Sequence, residues 1–242
     1  MKYDFSGFLN LCADLNLSPT DHQVEQFLRY YELLTEWNEK MNLTAITEFQ
    51  DVIEKHFVDS LSIVRVDYFL ICLPQSLSII DVGTGAGFPG IPLKIMFPHC
   101  HVTLLDSLQK RLNFLDVVIE ELGLESIETV HGRAEDLGRD PAYRESYDFC
   151  VSRAVANLNT LSELCLPFVK VGGSFIPYKG DKGMEELNEA KGAIHLLGGE
   201  IRQRCSYQFS DYNRVLADIR KLGFCPDKYP RQAGIPAKKP LK

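Results

Sequence analysis

Over the first seventy residues, apolar positions recur at helical spacing. In SPTDHQVEQFLRYYELLTEWNEK, Val24, Phe27, Leu28, Tyr31, Leu34 and Trp37 fall on one face of a helix. Ser18 is the expected N-cap, with Pro19 at the first helical position and Asp21 in the third. A shorter helix is predicted over FQDVIEKHFVDSLSIV, with Val52, Ile53, His56, Phe57 and Leu61 on one side. The β-branched stretch MNLTAIT connects the two. Beyond Pro74 the period changes. LSIIDV, HVTLLD, IETVHG, YDFCVSRA and SFIPYKG read as short strands. Between them lie helical patterns over SLQKRLNFLDVVIEELG, NLNTLSELCLPFVKVGG and EELNEAKGAIHLLG, the first two stopped by their glycines. EIRQRCSYQF and NRVLADIRK close the chain as a strand pair. Nearly continuous apolar strands separated by helices predict a mostly parallel, doubly wound α/β sheet. The change of texture predicts a helical extension over 1–72 and one compact α/β unit over 73–242.

Composition alters this picture little. The chain has 242 residues, 45% hydrophobic and 24% charged, enough to bury a full α/β core. No run approaches the roughly 20 apolar residues of a membrane span. MKYDFSGFLN has an early acid and no basic segment before an apolar core, so a cytoplasmic protein with no secretory leader is expected. The seven cysteines include no C-x-x-C pair, so no metal site is expected, and small buried hydrophobes are the favoured reading. A net charge of −7 argues against broad nucleic-acid binding, and DNA is not expected as a partner. The tail KYPRQAGIPAKKPLK, however, carries Lys228, Arg231, Lys238, Lys239 and Lys242 and no acid. That suits either a phosphate-bearing partner or a solvated tail.

The candidate chemistry begins at DVGTGAGFPG, where a strand runs into Gly83-x-Gly85-x-Gly87 and then a helix near Pro89. In doubly wound sheets a ligand sits at this turn, and glycines let the backbone approach it closely. The spacing departs from the dinucleotide pattern G-x-G-x-x-G: the third glycine is one place early and Phe88 stands where it should be. No G-K-[ST] follows, which excludes a Walker loop. Asp81 just ahead of the glycines would repel a pyrophosphate, with no nearby Lys or Arg to offset it. It would favour S-adenosylmethionine, whose sulfonium and ammonium are cationic. The competing reading makes Asp81 a capping residue for the loop. Asp106, ending the second strand, suits a ribose in either case. After the third strand, Ala134 offers a backbone N–H to an adenine, and Glu135 or Asp136 an acceptor for its amine.

The ordered set MNLTAIT, KHFVDSL, DVGTGAGFPGIPLKI, LLDSLQKRLNFL, HGRAED, SRAVA and YPRQAGIPAKKPL resembles the bacterial small-subunit rRNA guanine-N7 methyltransferases, historically called glucose-inhibited division protein B, over nearly the whole chain. The resemblance implies a class I S-adenosylmethionine-dependent methyltransferase fold, Rossmann-like with a mostly parallel seven-stranded sheet and an N-terminal helical extension. It implies transfer of a methyl group to N7 of a guanosine in the 530 loop of 16S rRNA. That rRNA, as part of the small ribosomal subunit, is the expected partner and a monomer the expected state; naked rRNA, an assembly intermediate and the complete subunit stay open as the form bound. The cofactor contacts it implies are Gly83 and Phe88, with Gly85 between them, then Asp106, Ser107 and Leu108, then Ala134 and Glu135, and finally Arg153.

This chemistry needs no general base, because guanine N7 carries a free lone pair and catalysis then rests on positioning. VSRAVAN accordingly offers no obvious base and no N-P-P-Y motif. Arg153 suits a methionine carboxylate, a guanine O6 or phosphate, or a salt bridge closing the strand. Lys179, Arg231, Lys238 and Lys239 are the candidates for RNA contact, with Arg202 and Arg204 as further phosphate partners. His56 and Asp59 recur in the resemblance; for His56 a hydrogen-bonded packing role is favoured. A small-molecule methyltransferase, a nucleotide-dependent oxidoreductase and a non-catalytic S-adenosylmethionine-binding assembly factor are the competing functions.

Overall fold

A computed structural model describes residues 3–153, 156–209 and 212–242. Ala154 and Val155 of the SRAVA motif lie outside the described residues. The amino-terminal part is helical: α1 (Ser6–Asp14), α2 (Asp21–Met41), α3 (Phe49–Val52), α4 (Asp59–Leu61) and α5 (Asp67–Cys72). Then come β1 (Ser78–Val82), α6 (Gly90–Met96), β2 (His101–Asp106), α7 (Gln109–Glu121), β3 (Ile127–His131), α8 (Ala134–Leu137) and β4 (Tyr147–Arg153). The chain continues through α9 (Leu158–Cys165), β5 (Val169–Lys179), α10 (Gly183–Glu189), α11 (Lys191–Leu196), β6 (Gly199–Phe209), β7 (Tyr212–Lys221) and α12 (Ile235–Lys238).

The seven strands form one sheet in the order β3-β2-β1-β4-β5-β7-β6. β1 to β5 are parallel, and β7 is antiparallel to both β5 and β6. The order reverses at β1, between β2 and β4, which opens a crevice above its carboxyl end. Alternate residues of the strands feed two cores, as a pleated strand requires. Ile79, Val102, Leu104 and Phe149 pack with Tyr30 of α2, Phe57 and Phe114. Ile80, Val82, Leu105 and Cys150 face the other way, against Leu158, Leu161, Leu187 and Ile194. The helices of residues 1–72 thus share one hydrophobic cluster with a face of the sheet.

Four local expectations are corrected. Thr20, rather than Ser18, caps α2. Its hydroxyl accepts from the Gln23 amide N–H at 3.3 Å while the Gln23 side chain accepts from the Thr20 N–H at 2.9 Å. This reciprocal box satisfies two end donors at once and wins over the upstream Ser-Pro. Gly172 and Gly173 do not stop a helix; they lie inside β5, where a Cβ on Gly173 would sit 2.5 Å from the Asp148 carbonyl. The helix predicted over EELNEAKGAIHLLG breaks at Ala190 into α10 and α11. The helix predicted from Phe49 onwards is interrupted by a π turn over Ile53–Val58. No helix among the described residues is long and apolar enough to cross a membrane.

Candidate cofactor cleft and its inner wall

The crevice above β1 is a cleft of about 520 Å³. Gly83, Gly85 and Phe88 of the glycine loop line it, as do Asp106 and Ser107 beyond β2. Ala134, Glu135 and Arg153 complete the set that the sequence brings together. Leu108 is not in the lining: it is 42% exposed, and its part is backbone, its N–H donating to Asp106 Oδ1 at 2.9 Å. Gly83, Gly85 and Gly87 have φ of 73°, 63° and 101°, so the loop takes a path that side chains resist.

Asp106 is almost fully buried and held on three sides. Its Oδ2 accepts from the Gly85 N–H at 3.0 Å and from Arg111 at 3.2 Å, and its Oδ1 from Leu108. At the far end, Glu135 Oε1 accepts from the Gly234 N–H at 2.9 Å, which ties the carboxy-terminal segment to the cleft. Arg111 and Arg133 also reach the lining, so cations are present where the sequence suggested none.

Asp81 does not face the cleft. It shares a strand face with Ile79 and is fully buried beneath the loop. Its Oδ2 accepts from Thr84 Oγ1 at 2.8 Å and from the Gly90 N–H at 2.9 Å, so it caps α6 and pins the loop. Asp81 is therefore the capping residue of the loop, and its carboxylate is not turned toward a cationic ligand. Burial lifts its carboxyl to about 6, against the lowering pull of those two hydrogen bonds. A proton is thus held more tightly in the folded chain than in the unfolded one. The stability this supplies is full below the usual carboxylate range and is lost as pH rises through about 6. Asp81→Asn keeps an acceptor and removes the titration. The unfolding free energy of the wild type, measured against that variant by denaturant melts, should fall by up to about 1.4 kcal/mol per pH unit between pH 4 and 6. A difference independent of pH would refute the assignment.

The inner wall of the cleft comes from the helical extension. The π turn places His56 against Phe88, rings stacked 4.4 Å apart, and its Nε2 lies 2.9 Å from Thr44 Oγ1. Arg153 Nη1 donates to the Lys55 carbonyl at 3.0 Å and to Asp59 Oδ2 at 3.1 Å, and Nη2 lies 3.1 Å from His56 Nδ1. The Arg153 guanidinium also sits 5.0 Å from the Phe88 ring. Asp59, buried, takes Arg214 Nε on its other oxygen at 2.8 Å. Burial, reinforced by Arg153, pushes His56 down to about 3, so the imidazole is neutral. The packing role expected of His56 is what its contacts describe, and it also lines the cleft. Sequence reasoning missed Leu43 and Thr44, which reach the cleft from the connector. Their signal was only their place in the MNLTAIT motif.

The cations expected to meet RNA divide into two groups. Lys179 is nearly buried and is held by Glu186 at 2.8 Å and by the Ala156 carbonyl. Arg231 grips the fully buried Glu163, with Nη2 to Oε2 at 2.6 Å and Nε to Oε1 at 2.8 Å. Both of these RNA-contact candidates are thus already engaged in ion pairs with buried or part-buried carboxylates. Lys238 and Lys239 are exposed on the last helix and just beyond it. No His, Cys, Asp or Glu cluster among the described residues is arranged to hold a metal.

The cleft suits S-adenosylmethionine. A glycine loop of positive φ leaves room for close approach, an anchored carboxylate stands at the end of β2, and an acid and a small residue follow β3. Residues 23–210 match the model of a family described as rRNA small subunit methyltransferase G. The ribosomal RNA small subunit methyltransferase G of Alkaliphilus metalliredigens is 52% identical over 96% of each chain. That of Lactococcus lactis subsp. cremoris is 50% identical, over 97% of this chain and 98% of its own. Among solved structures, TrmN from Thermus thermophilus superposes with a TM-score of 0.52 at 17% identity, over 70% of this chain and 53% of its own, a likeness of fold. With a family model spanning most of the chain and relatives at half identity over nearly all of it, the chain belongs to the rRNA small subunit methyltransferase G family.

Proposed function

We propose that this protein transfers a methyl group from S-adenosylmethionine to N7 of a guanosine in the 530 loop of 16S rRNA. The observation that carries the reading is the match over nearly full length to relatives named for small-subunit rRNA methylation, supported by a cleft lined by all of the expected cofactor residues except Leu108. Asp106 would take the ribose hydroxyls, Ala134 and Glu135 the adenine, and the glycine loop the amino-acid end. When bound, S-adenosylmethionine supplies a methyl group on a cationic sulfur; guanine N7 accepts it on a free lone pair and releases no proton, so the site requires no general base.

The chain's own groups agree with that economy. His56, the one imidazole on the inner wall, is neutral and cannot add charge repulsion beside a cationic ligand. Arg153 is fixed by Asp59 and the Lys55 carbonyl, so it positions rather than accepts protons. RNA reaches such a cleft only with its base out of the stack. Lys238 and Lys239 are the exposed candidates for its phosphates. A monomer acting on the small ribosomal subunit in the cytoplasm completes the proposal.

Mass spectrometry of 16S rRNA from small subunits incubated with enzyme and S-adenosylmethionine tests it. A 7-methylguanosine in the 530-loop fragment is the expected product. Tight cofactor binding by calorimetry without that product would favour a non-catalytic or small-molecule role.

A further inference from the structure

The helical extension touches the glycine loop through Tyr30 of α2. The residue is fully buried, its ring stacked on Phe57 and tilted against Phe88, with centroids 5.4 Å apart in both cases. Burial pushes its phenol well above the ordinary tyrosine value, so the hydroxyl keeps its proton. That hydroxyl donates to the Ala86 carbonyl.

The hydrogen bonds of the loop leave one donor over. The N–H groups of Gly83 and Thr84 donate to the Leu105 carbonyl, that of Gly85 to Asp106 Oδ2, and those of Gly87 and Phe88 to the Thr84 carbonyl. The N–H of Ala86, in the middle of this run, has no acceptor among the described residues. Ala86 is 6% exposed and lines the cofactor cleft. A buried N–H is seldom left unpaired, so this one calls for a ligand. It belongs to the Gly85–Ala86 peptide, whose neighbours on both sides are pinned. Asp106 holds the Gly85 N–H before it at 3.0 Å, and Tyr30 holds the Ala86 carbonyl after it. The two pins fix the direction of the peptide between them.

We propose that Tyr30 is a positioning residue for the cofactor: by holding the Ala86 carbonyl it aims the Ala86 N–H at the carboxylate of S-adenosylmethionine. The proposal rests on placing the amino-acid end of the cofactor at the glycine loop, and deepens that reading. The carboxylate is the one anionic group of the ligand, and a backbone N–H bonds most strongly to an ionised acceptor. The sulfonium and ammonium are cationic and would meet the N–H unfavourably, while the ribose hydroxyls have Asp106. The extension thus serves the methyl donor as well as the hydrophobic core.

Calorimetry with S-adenosylmethionine and with its decarboxylated form tests this. The second compound keeps the sulfonium, the ammonium and the adenosine and lacks only the carboxylate. The wild type should bind S-adenosylmethionine about ten- to a hundredfold more tightly, the worth of one hydrogen bond to a charged group. In Tyr30→Phe, which keeps the ring and its packing, that preference should shrink toward one. A merely structural role for Tyr30 would weaken both ligands alike and leave the preference intact. A second measurement needs no variant. In protein carrying isotope-labelled alanine, the Ala86 amide proton, followed by NMR, should move downfield with S-adenosylmethionine and not with the decarboxylated form. An amide that does not distinguish the two ligands, or an undiminished preference in Tyr30→Phe, would overturn the proposal. Equal wild-type affinities for the two compounds would overturn it too, while leaving the cofactor reading in place. A wild type that binds neither would overturn the cofactor reading, and this one with it.

Discussion

Arg153→Ala is expected to fold, to bind S-adenosylmethionine within about tenfold of the wild type, and to transfer the methyl group about a hundredfold more slowly or worse, the scale on which misplacement of reacting groups acts. The placement of Asp106 and Glu135 does not depend on Arg153, since Asp106 is anchored by Gly85, Leu108 and Arg111, and Glu135 by Gly234. What goes is the wall. The guanidinium joins the Lys55 carbonyl, Asp59 and His56 and covers Phe88, so its removal opens the inner wall and takes one contact from the imidazole. The fold survives because Asp59 keeps Arg214 at 2.8 Å. Asp59→Ala makes the contrast. It leaves Arg153 and Arg214 around a buried site without their carboxylate, and breaking a buried pair from one side costs about 3–5 kcal/mol. Denaturant melts and single-turnover methylation separate the two variants. If Arg153→Ala is the less stable of the pair, or remains fully active, the wall has been misread.

Gly87→Ala should cripple the protein at the loop. The residue has φ of 101°, and a Cβ there would lie 2.7 Å from both Ile91 Cγ1 and Tyr30 Oη and 2.8 Å from Leu115 Cδ2. Overpacking of this kind costs about 1–3 kcal/mol, and the left-handed backbone adds about 1–2 kcal/mol. Tyr30 Oη donates to the Ala86 carbonyl, so the clash strikes the contact that ties α2 to the loop. Unfolding free energy should fall by the larger part of that sum, and cofactor affinity by at least about tenfold, as each 1.4 kcal/mol implies. Gly123→Ala is the control: φ there is 60° with nothing within 4 Å of an added Cβ, so only the backbone penalty applies. Equal losses in the two variants would remove the packing argument.

The sheet was legible because parallel strands buried on both faces leave nearly unbroken apolar runs, as in LSIIDV and HVTLLD. The glycine loop was legible for its backbone. Asp81 shows where residue chemistry alone goes astray. Its type suggested charge facing a ligand, while its place one pleat beyond Ile79 turned it toward the buried side. Glu163 carried a quieter signal. An acid within the apolar helix NLNTLSELC demands a partner, and the one it found, Arg231, lies 68 residues away in the tail. Pairings of that range have no local signature. The same holds for Lys179 and Glu186, where a basic residue at a strand end looked like an RNA contact until its partner was seen. The tail itself read as solvated or phosphate-seeking; one of its five cations, Arg231, turned inward, as did the Gly234 N–H.

The π turn over Ile53–Val58 sets a phase. A π turn holds one residue more than the α-helical turn it replaces, and a single residue is about 100° of rotation around a helix axis. Residues on either side of the turn therefore face directions that an uninterrupted helix could not combine. Upstream, Val52 packs into the core; downstream, Asp59 faces Arg153 and Arg214 while Leu61 returns to the same core. The added residue works like a tooth in a gear train. It lets one end of the extension engage the hydrophobic core while the other meshes with the sheet's reactive edge, and a one-residue change in the length of this segment would disengage one of them.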